Sequence, residues 1–245
     1  MITSSDNSKL SLVRKLQARK WREREGAFVT EGEDLLEAGR AAGWEPREVL
    51  VPAGSGLAGD EVEPDLLDSI SALGSGTRVI AVWAIPEGEP AAGAVYLHGV
   101  SDPGNVGTIV RTVAALSGGA AVIGPGSADP YSPKAVRATM GALFAAPPVR
   151  GGIDATATPR LALVAHGGED LDGAIAGLID MAGDGASPPT LCLGGERDGL
   201  PHDVVERCDA VATIPVRSGA ESLNVAAAAA IGLQRISSLA AGGDG

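Results

Sequence analysis

The sequence predicts an α/β protein in two parts, a small α/β unit followed by a larger parallel sheet flanked by helices. Three observations predict it. Short apolar runs alternate with helix-length segments along the chain, as in strands joined by helical crossovers. In the second part those runs are continuously apolar, which suits strands covered on both faces. Between the parts, residues 85–93 read IPEGEPAAG, a Pro-, Gly- and Glu-rich stretch that reads as a linker. The expected domains are therefore 1–88 and 89–245, and 245 residues are enough for two cores.

Residues 8–24 are expected to form one helix, because Leu10, Val13, Leu16 and Trp21 recur at near-helical spacing with basic residues between them. A strand follows at 27–30, a helix at 31–42 stopped by Gly43, a strand at 48–51, a helix at 64–73 and a strand at 79–84. After the linker, a strand at 94–100 feeds a helix at 105–116 ended by Ser-Gly-Gly. A strand at 120–124 leads through a Pro/Gly loop to a helix near 133–140. Further buried strands are expected at 145–149, 161–165, 190–193 and 211–215. The last helix is opened by Ser222-Leu223-Asn224, where the Ser222 hydroxyl is the N-cap signal. Its run of alanines lets another backbone come very close. Residues 240–245 are expected to be disordered.

A formal net charge of −12 argues against nonspecific binding to nucleic acid. The distribution matters more than the total. Lys9, Arg14, Lys15, Arg19, Lys20, Arg22 and Arg24 crowd the N-terminal segment against only Asp6, Glu23 and Glu25. That excess suits RNA phosphates and suits a solvated helix face equally well. Cys192 and Cys208 fit no metal or redox spacing and read as core thiols, and His98, His166 and His202 are scattered, so no metal site is expected. No apolar run is long enough to span a bilayer, and MITSSDNSKLSLVRK lacks the apolar segment of a signal peptide; a cytosolic protein is expected.

Ligands of parallel sheets bind beyond the carboxyl ends of the strands, and Gly, Ser, Asn and Glu collect at three such ends. The first loop, GVSDPGNVGTIVR, carries Asn105 where a helix should begin and Arg111 further along the same helix. A helix cap and a surface ion pair are the ordinary roles for these two; a guanidinium held toward phosphate is the functional one. The glycines do not follow G-x-G-x-x-G and no acidic residue marks the following strand, which removes a nucleotide-dependent oxidoreductase. The second loop, LCLGGERDGLP, brings Glu196 out of an apolar strand through Gly194-Gly195, with Gly199 allowing a return. The third is TIPVRSGAESLNVAAAAAIG.

In order, G-x-S-D-P-x-N-x-G-x-I-x-R-T, L-G-x-E-x-x-G-L and I-P-x-x-x-x-x-E-S-L-N-V-A resemble the three motifs of the SpoU/TrmH family, S-adenosylmethionine-dependent RNA ribose 2′-O-methyltransferases of the SPOUT superfamily. GPGSADPYSPKAVRATMGALF resembles the family's ribosomal-RNA branch, and RKWREREGAFVTEGEDLLEA its L30e-like substrate-binding domain. The resemblance implies a SPOUT domain with a C-terminal trefoil knot within about 190–235, behind an L30e-like RNA-binding domain. It implies a homodimer, S-adenosylmethionine as cofactor, and a structured RNA, most simply 23S ribosomal RNA, as substrate. A transfer-RNA enzyme of the same family and a catalytically inactive RNA-binding relative are the alternatives.

Carried onto this chain, the resemblance gives a cofactor wall of Leu193, Gly194, Gly195, Glu196, Gly199, Ile214, Pro215, Ser222, Leu223 and Asn224, with Gly124 contributing. Asn105, Arg111, Glu196, Ser222 and Asn224 surround the reacting centre. Family members often carry Asn where this chain has Gly195, so a side-chain role is absent there. Arg111 stands where the family's proposed general base stands; a guanidinium stays protonated, so holding the target's phosphate is physically easier. Arg14, Lys15, Arg19, Lys20 and Arg22 are the remaining RNA-facing cations expected.

Overall fold

The computed structural model describes residues 1–74, 76–86, 93–183, 185–217 and 222–241. The chain divides into two units, one of residues 1–87 with 131–145, the other of 88–130 with 146–245. The expected single cut near residue 88 therefore misses an excursion of the chain back to the first unit.

The first unit opens with α1 (Ser8–Leu16) and α2 (Arg19–Glu25), two helices where one was expected. Ala18 is extended between them, and the guanidinium of Arg22 donates to the carbonyls of Leu16 at 2.7 Å and Gln17 at 2.9 Å. Those bonds satisfy carbonyls that the end of α1 leaves without a helical partner. Then come β1 (Ala27–Glu31), α3 (Glu33–Ala41), β2 (Glu48–Pro52), β3 (Asp60–Val62), α4 (Pro64–Ile70) and β4 (Ile80–Ala84). The sheet order is β1-β4-β2-β3, with β4 antiparallel to both its neighbours and β3 parallel to β2. Leu10, Val13 and Leu16 of α1 pack with Val29, Leu50 and Val82 in its core.

The second unit begins with β5 (Gly93–His98), α5 (Pro103–Leu116) and β6 (Ala120–Ile123). The chain then makes α6 (Pro133–Thr139) and α7 (Ala142–Ala145) in the first unit, where the 145–149 strand was expected to start. What holds them there is aromatic. Phe28 has Tyr131 at 4.9 Å and Phe144 at 6.1 Å between ring centroids, Trp83 lies 4.7 Å from Phe144, and Trp44 Nε1 donates to the Phe144 carbonyl at 3.1 Å. Burying several such rings outweighs the local β preference of a short apolar run.

The rest of the second unit is β7 (Val149–Arg150), β8 (Arg160–Val164), β9 (Glu169–Asp170), α8 (Leu171–Ala182), β10 (Thr190–Gly194), α9 (His202–Val205), β11 (Ala210–Thr213) and α10 (Val225–Ala241). Every strand pair is parallel, in the order β7-β6-β5-β10-β8-β11-β9. Both faces are covered. Tyr96 and Cys192 pack with Ile153 and Val204 of α9 on one face, while Leu191 on the other lies so close to Gly232 of α10 that a Cβ there would stand 2.7 Å from it. The small residues of α10 are thus used for close packing. Residues 240 and 241, expected to be disordered, are its last turn; 242–245 lie outside the described residues.

Candidate active site

Three loops leave the carboxyl ends of β5, β10 and β11, and the main chains of the first two meet. Gly99, just after β5, has φ +69°, and a Cβ on Gly195 would stand 2.9 Å from the Gly99 carbonyl carbon. Gly194 packs directly on the main chain of Gly199 and Leu200, and the Gly199 N–H donates to the Gly195 carbonyl at 3.0 Å. The glycines at 194 and 195 are needed for these backbone crossings.

The crossing brings three distant side chains together. Asp102 Oδ1 accepts the Asn105 N–H at 3.0 Å, so Asp102 is the cap of α5 and the Asn105 amide is released for other work. Asn105 Nδ2 donates to Glu196 Oε1 at 2.5 Å, and Asn105 Oδ1 accepts from Asn224 Nδ2 at 3.1 Å. Asn224 in turn accepts the N–H groups of Ala226 at 2.9 Å and Ala227 at 3.3 Å. Asn224, not Ser222, therefore caps α10: the helix starts at Val225, which leaves the Ser222 hydroxyl too far upstream. A carboxylate is thus tied to a helix start through two amides, each used at both ends.

Beside this chain lies a cavity of about 480 Å³ at the ends of β8, β10 and β11. Of the expected wall residues, Leu193, Gly194, Gly195, Glu196, Gly199, Ile214, Ser222 and Leu223 line it. Pro215 and Asn224 do not, and Gly124 stands elsewhere: a Cβ on it would meet the Leu97 carbonyl and the Tyr96 hydroxyl, each at 2.6 Å. Sequence reasoning missed Leu163, Val164, Ala165 and His166, which enter because β8 lies between β10 and β11. The 161–165 run was legible as a strand; its place in the sheet was not.

The expected cations have mixed surroundings. Arg111 is exposed on α5, about 9 Å along the helix from Asn105 at 1.5 Å per residue. In the first unit, Arg14 donates to the Ser5 carbonyl at 2.8 Å, Arg19 pairs with Glu23 at 2.7 Å, and Lys15 and Arg24 each lie 4.9 Å from the Trp21 ring centre. Lys20 is exposed. Arg22 is 3% exposed and bound to carbonyls, a structural cation unsuited to meeting RNA. Cys192 and Cys208 are core neighbours; the Cys208 thiol and burial push the Cys192 thiol well up, so it stays protonated.

The SpoU rRNA methylase family matches residues 93–234, and an MRM3-like substrate binding domain matches residues 7–83. The chain belongs to the SpoU rRNA methylase family. Similar proteins span nearly its whole length. The 23S rRNA (guanosine(2553)-2′-O)-methyltransferase of Bacillus subtilis is 29% identical over 242 residues, covering 94% of this chain and 96% of its own. The S-adenosylmethionine-bound rRNA methyltransferase of Sinorhizobium meliloti superposes with a TM-score of 0.81 at 27% identity over 96% of each chain. The SpoU methyltransferase AviRb of Streptomyces viridochromogenes, also bound to the cofactor, superposes at 0.77 with 26% identity over 98% of this chain and 99% of its own. The chain spans about half the length of the mycobacterial relatives it matches.

Proposed function

We propose that this chain transfers the methyl group of S-adenosylmethionine to a ribose 2′-hydroxyl of 23S ribosomal RNA. The observation that carries it is the joining of Asn105, Glu196 and Asn224 across the three motif loops, beside a cavity edged by the second and third of them. The cavity fits the cofactor: at about 480 Å³ it is in the range of small-molecule sites, and Leu193, Ile214 and Leu223 give it apolar walls. Glu196 and Asp198 at its edge offer carboxylates to a positively charged ligand.

S-adenosylmethionine supplies an already electrophilic methyl group. What remains for the protein is alignment and removal of one proton. Asn105 fixes the Glu196 carboxylate by a charge-assisted bond, so Glu196 shapes the loop and sets the local negative field. Ser222 and Leu223 close the wall ahead of the Asn224 cap. Arg111 holds the phosphate of the target nucleotide and favours the 2′-oxygen as it gains negative charge.

The protein works as a cytoplasmic homodimer, with residues 190–235 tied in a trefoil knot, a rare exception to unknotted chains. Residues 1–88 act as an L30e-like RNA-binding domain, using Arg14, Lys15, Arg19 and Lys20. The test is calorimetric titration with S-adenosylmethionine, then mapping of tritiated methyl groups on ribosomal RNA from a strain lacking the protein. Binding with label at one 23S ribose is expected; absence of binding, or label on transfer RNA alone, refutes the assignment.

A further inference from the structure

A second cavity, also about 480 Å³, opens where β5, β6 and β10 end. It shares residues 195–199 with the first cavity, and because β10 lies between β5 and β8, that loop divides the two. Its walls include Gly99, Gly126, Pro125 and Pro201, which offer main-chain groups and flat ring surfaces, while His98 and Asp198 bring side-chain polarity together with Ser101, Glu196 and Arg197. Such walls suit a planar ring with a hydrogen-bonding edge.

The protonation of His98 follows from its neighbour. Tyr96 is buried, its hydroxyl lies 3.1 Å from His98 Nδ1, and it has no other hydrogen-bond partner among the described residues. Burial raises the Tyr96 phenol, which therefore keeps its proton and needs an acceptor. With Nδ1 accepting, the neutral ring of half-buried His98 carries its hydrogen on Nε2, and a protonated ring does too. His98 thus presents a donor, and the Asp198 side chain offers oxygen acceptors. Together they match a carbonyl beside an N–H, the edge that guanine and uracil carry and that adenine and cytosine replace with an amino group beside a bare nitrogen.

We infer that this second cavity is the pocket for the unstacked base of the nucleotide being methylated, and that His98 and Asp198 select guanine or uracil there. The inference rests on the methyl-transfer reading, because a base on one side of the 195–199 loop sets its own ribose beside the donor on the other. RNA bases are commonly read in this splayed-out state.

The test saturates the protein with S-adenosylhomocysteine and titrates it with the 5′-monophosphates of guanosine, uridine, adenosine and cytidine, read by saturation-transfer NMR. GMP and UMP should bind more tightly than AMP and CMP by about tenfold, the worth of one well-made hydrogen bond. His98→Ala should remove that preference, His98→Gln, which keeps an N–H donor, should restore it, and Asp198→Asn should shift it toward AMP and CMP. Equal binding of all four, no binding, indifference to His98→Ala, or displacement by S-adenosylhomocysteine would each overturn the pocket. Failure of S-adenosylhomocysteine itself to bind would instead refute the methyl-transfer reading, and the nucleotide series is then read on the protein alone.

Discussion

Replacing Gly195 by alanine tests whether the strand-end loops cross as tightly as the structure has them. The new Cβ would stand 2.9 Å from the Gly99 carbonyl carbon and nearer still to its oxygen. Carbon pairs settle at about 3.5–4.0 Å, so one loop must retreat by roughly 0.6–1 Å. The obstacle is main chain, and no rotamer can relieve it. Overpacking of this kind costs about 1–3 kcal/mol. For a chain of this size that lowers the melting temperature by roughly 3–10 °C. A shift near 1 Å also pulls Glu196 from Asn105, and misplacement on that scale costs methyl transfer about 100-fold. The assays are differential scanning calorimetry, cofactor titration and tritium transfer to RNA. Gly177→Ala is the control: it lies in α8, where an added methyl would have nothing within 4 Å, so it should be neutral or slightly stabilising. A Gly195→Ala protein that melts, binds and turns over like the parent would refute the reasoning.

Other consequences can be measured alongside it. Arg111→Ala should leave cofactor affinity within about twofold and cut methyl transfer by roughly 10²–10³, the cost of losing one preorganised donor to developing charge; unchanged turnover removes Arg111 from the mechanism. Asn224→Ala should lose about 1 kcal/mol with the α10 cap, whereas Ser222→Ala should leave the melting temperature unmoved; equal losses would return the cap to Ser222. Neutralising Arg14, Lys15, Arg19 and Lys20 together should weaken RNA binding and flatten its log–log salt slope by about 3, at roughly 0.7 per lost phosphate contact. Arg22→Ala should instead lower stability by a few kcal/mol, since it strips buried carbonyls of a charged donor, and leave the salt slope alone.

The second unit was the more legible, because its strands are continuously apolar and its loops carry chemistry at the strand ends, both local properties. The β5, β6, β10 and β11 runs and the α5 start were readable within a few residues. What was not readable depends on distant partners. Nothing in the run after Phe144 announces that its ring packs on Trp83 and Phe28, so a strand was expected from Ala145, where α7 still holds the chain in the first unit. The break between α1 and α2 is set by a guanidinium reaching back to carbonyls, which periodicity does not register. At the site, Asn105 and Asn224 were legible as polar residues at helix starts, but the caps read at Asn105 and Ser222 are made by Asp102 and Asn224. The β8 side of the cavity was missed because strand order is a property of the whole sheet.

The central claim is that three loops hold a methyl donor beside a ribose hydroxyl, and the position of the transferred methyl tests it most directly. Ribosomal RNA labelled by this protein from tritiated S-adenosylmethionine is hydrolysed in alkali, which needs a free 2′-hydroxyl to cut the following phosphodiester. The account predicts label in alkali-stable dinucleotides, abolished by Arg111→Ala. Label recovered in mononucleotides would place the methyl on a base and contradict it.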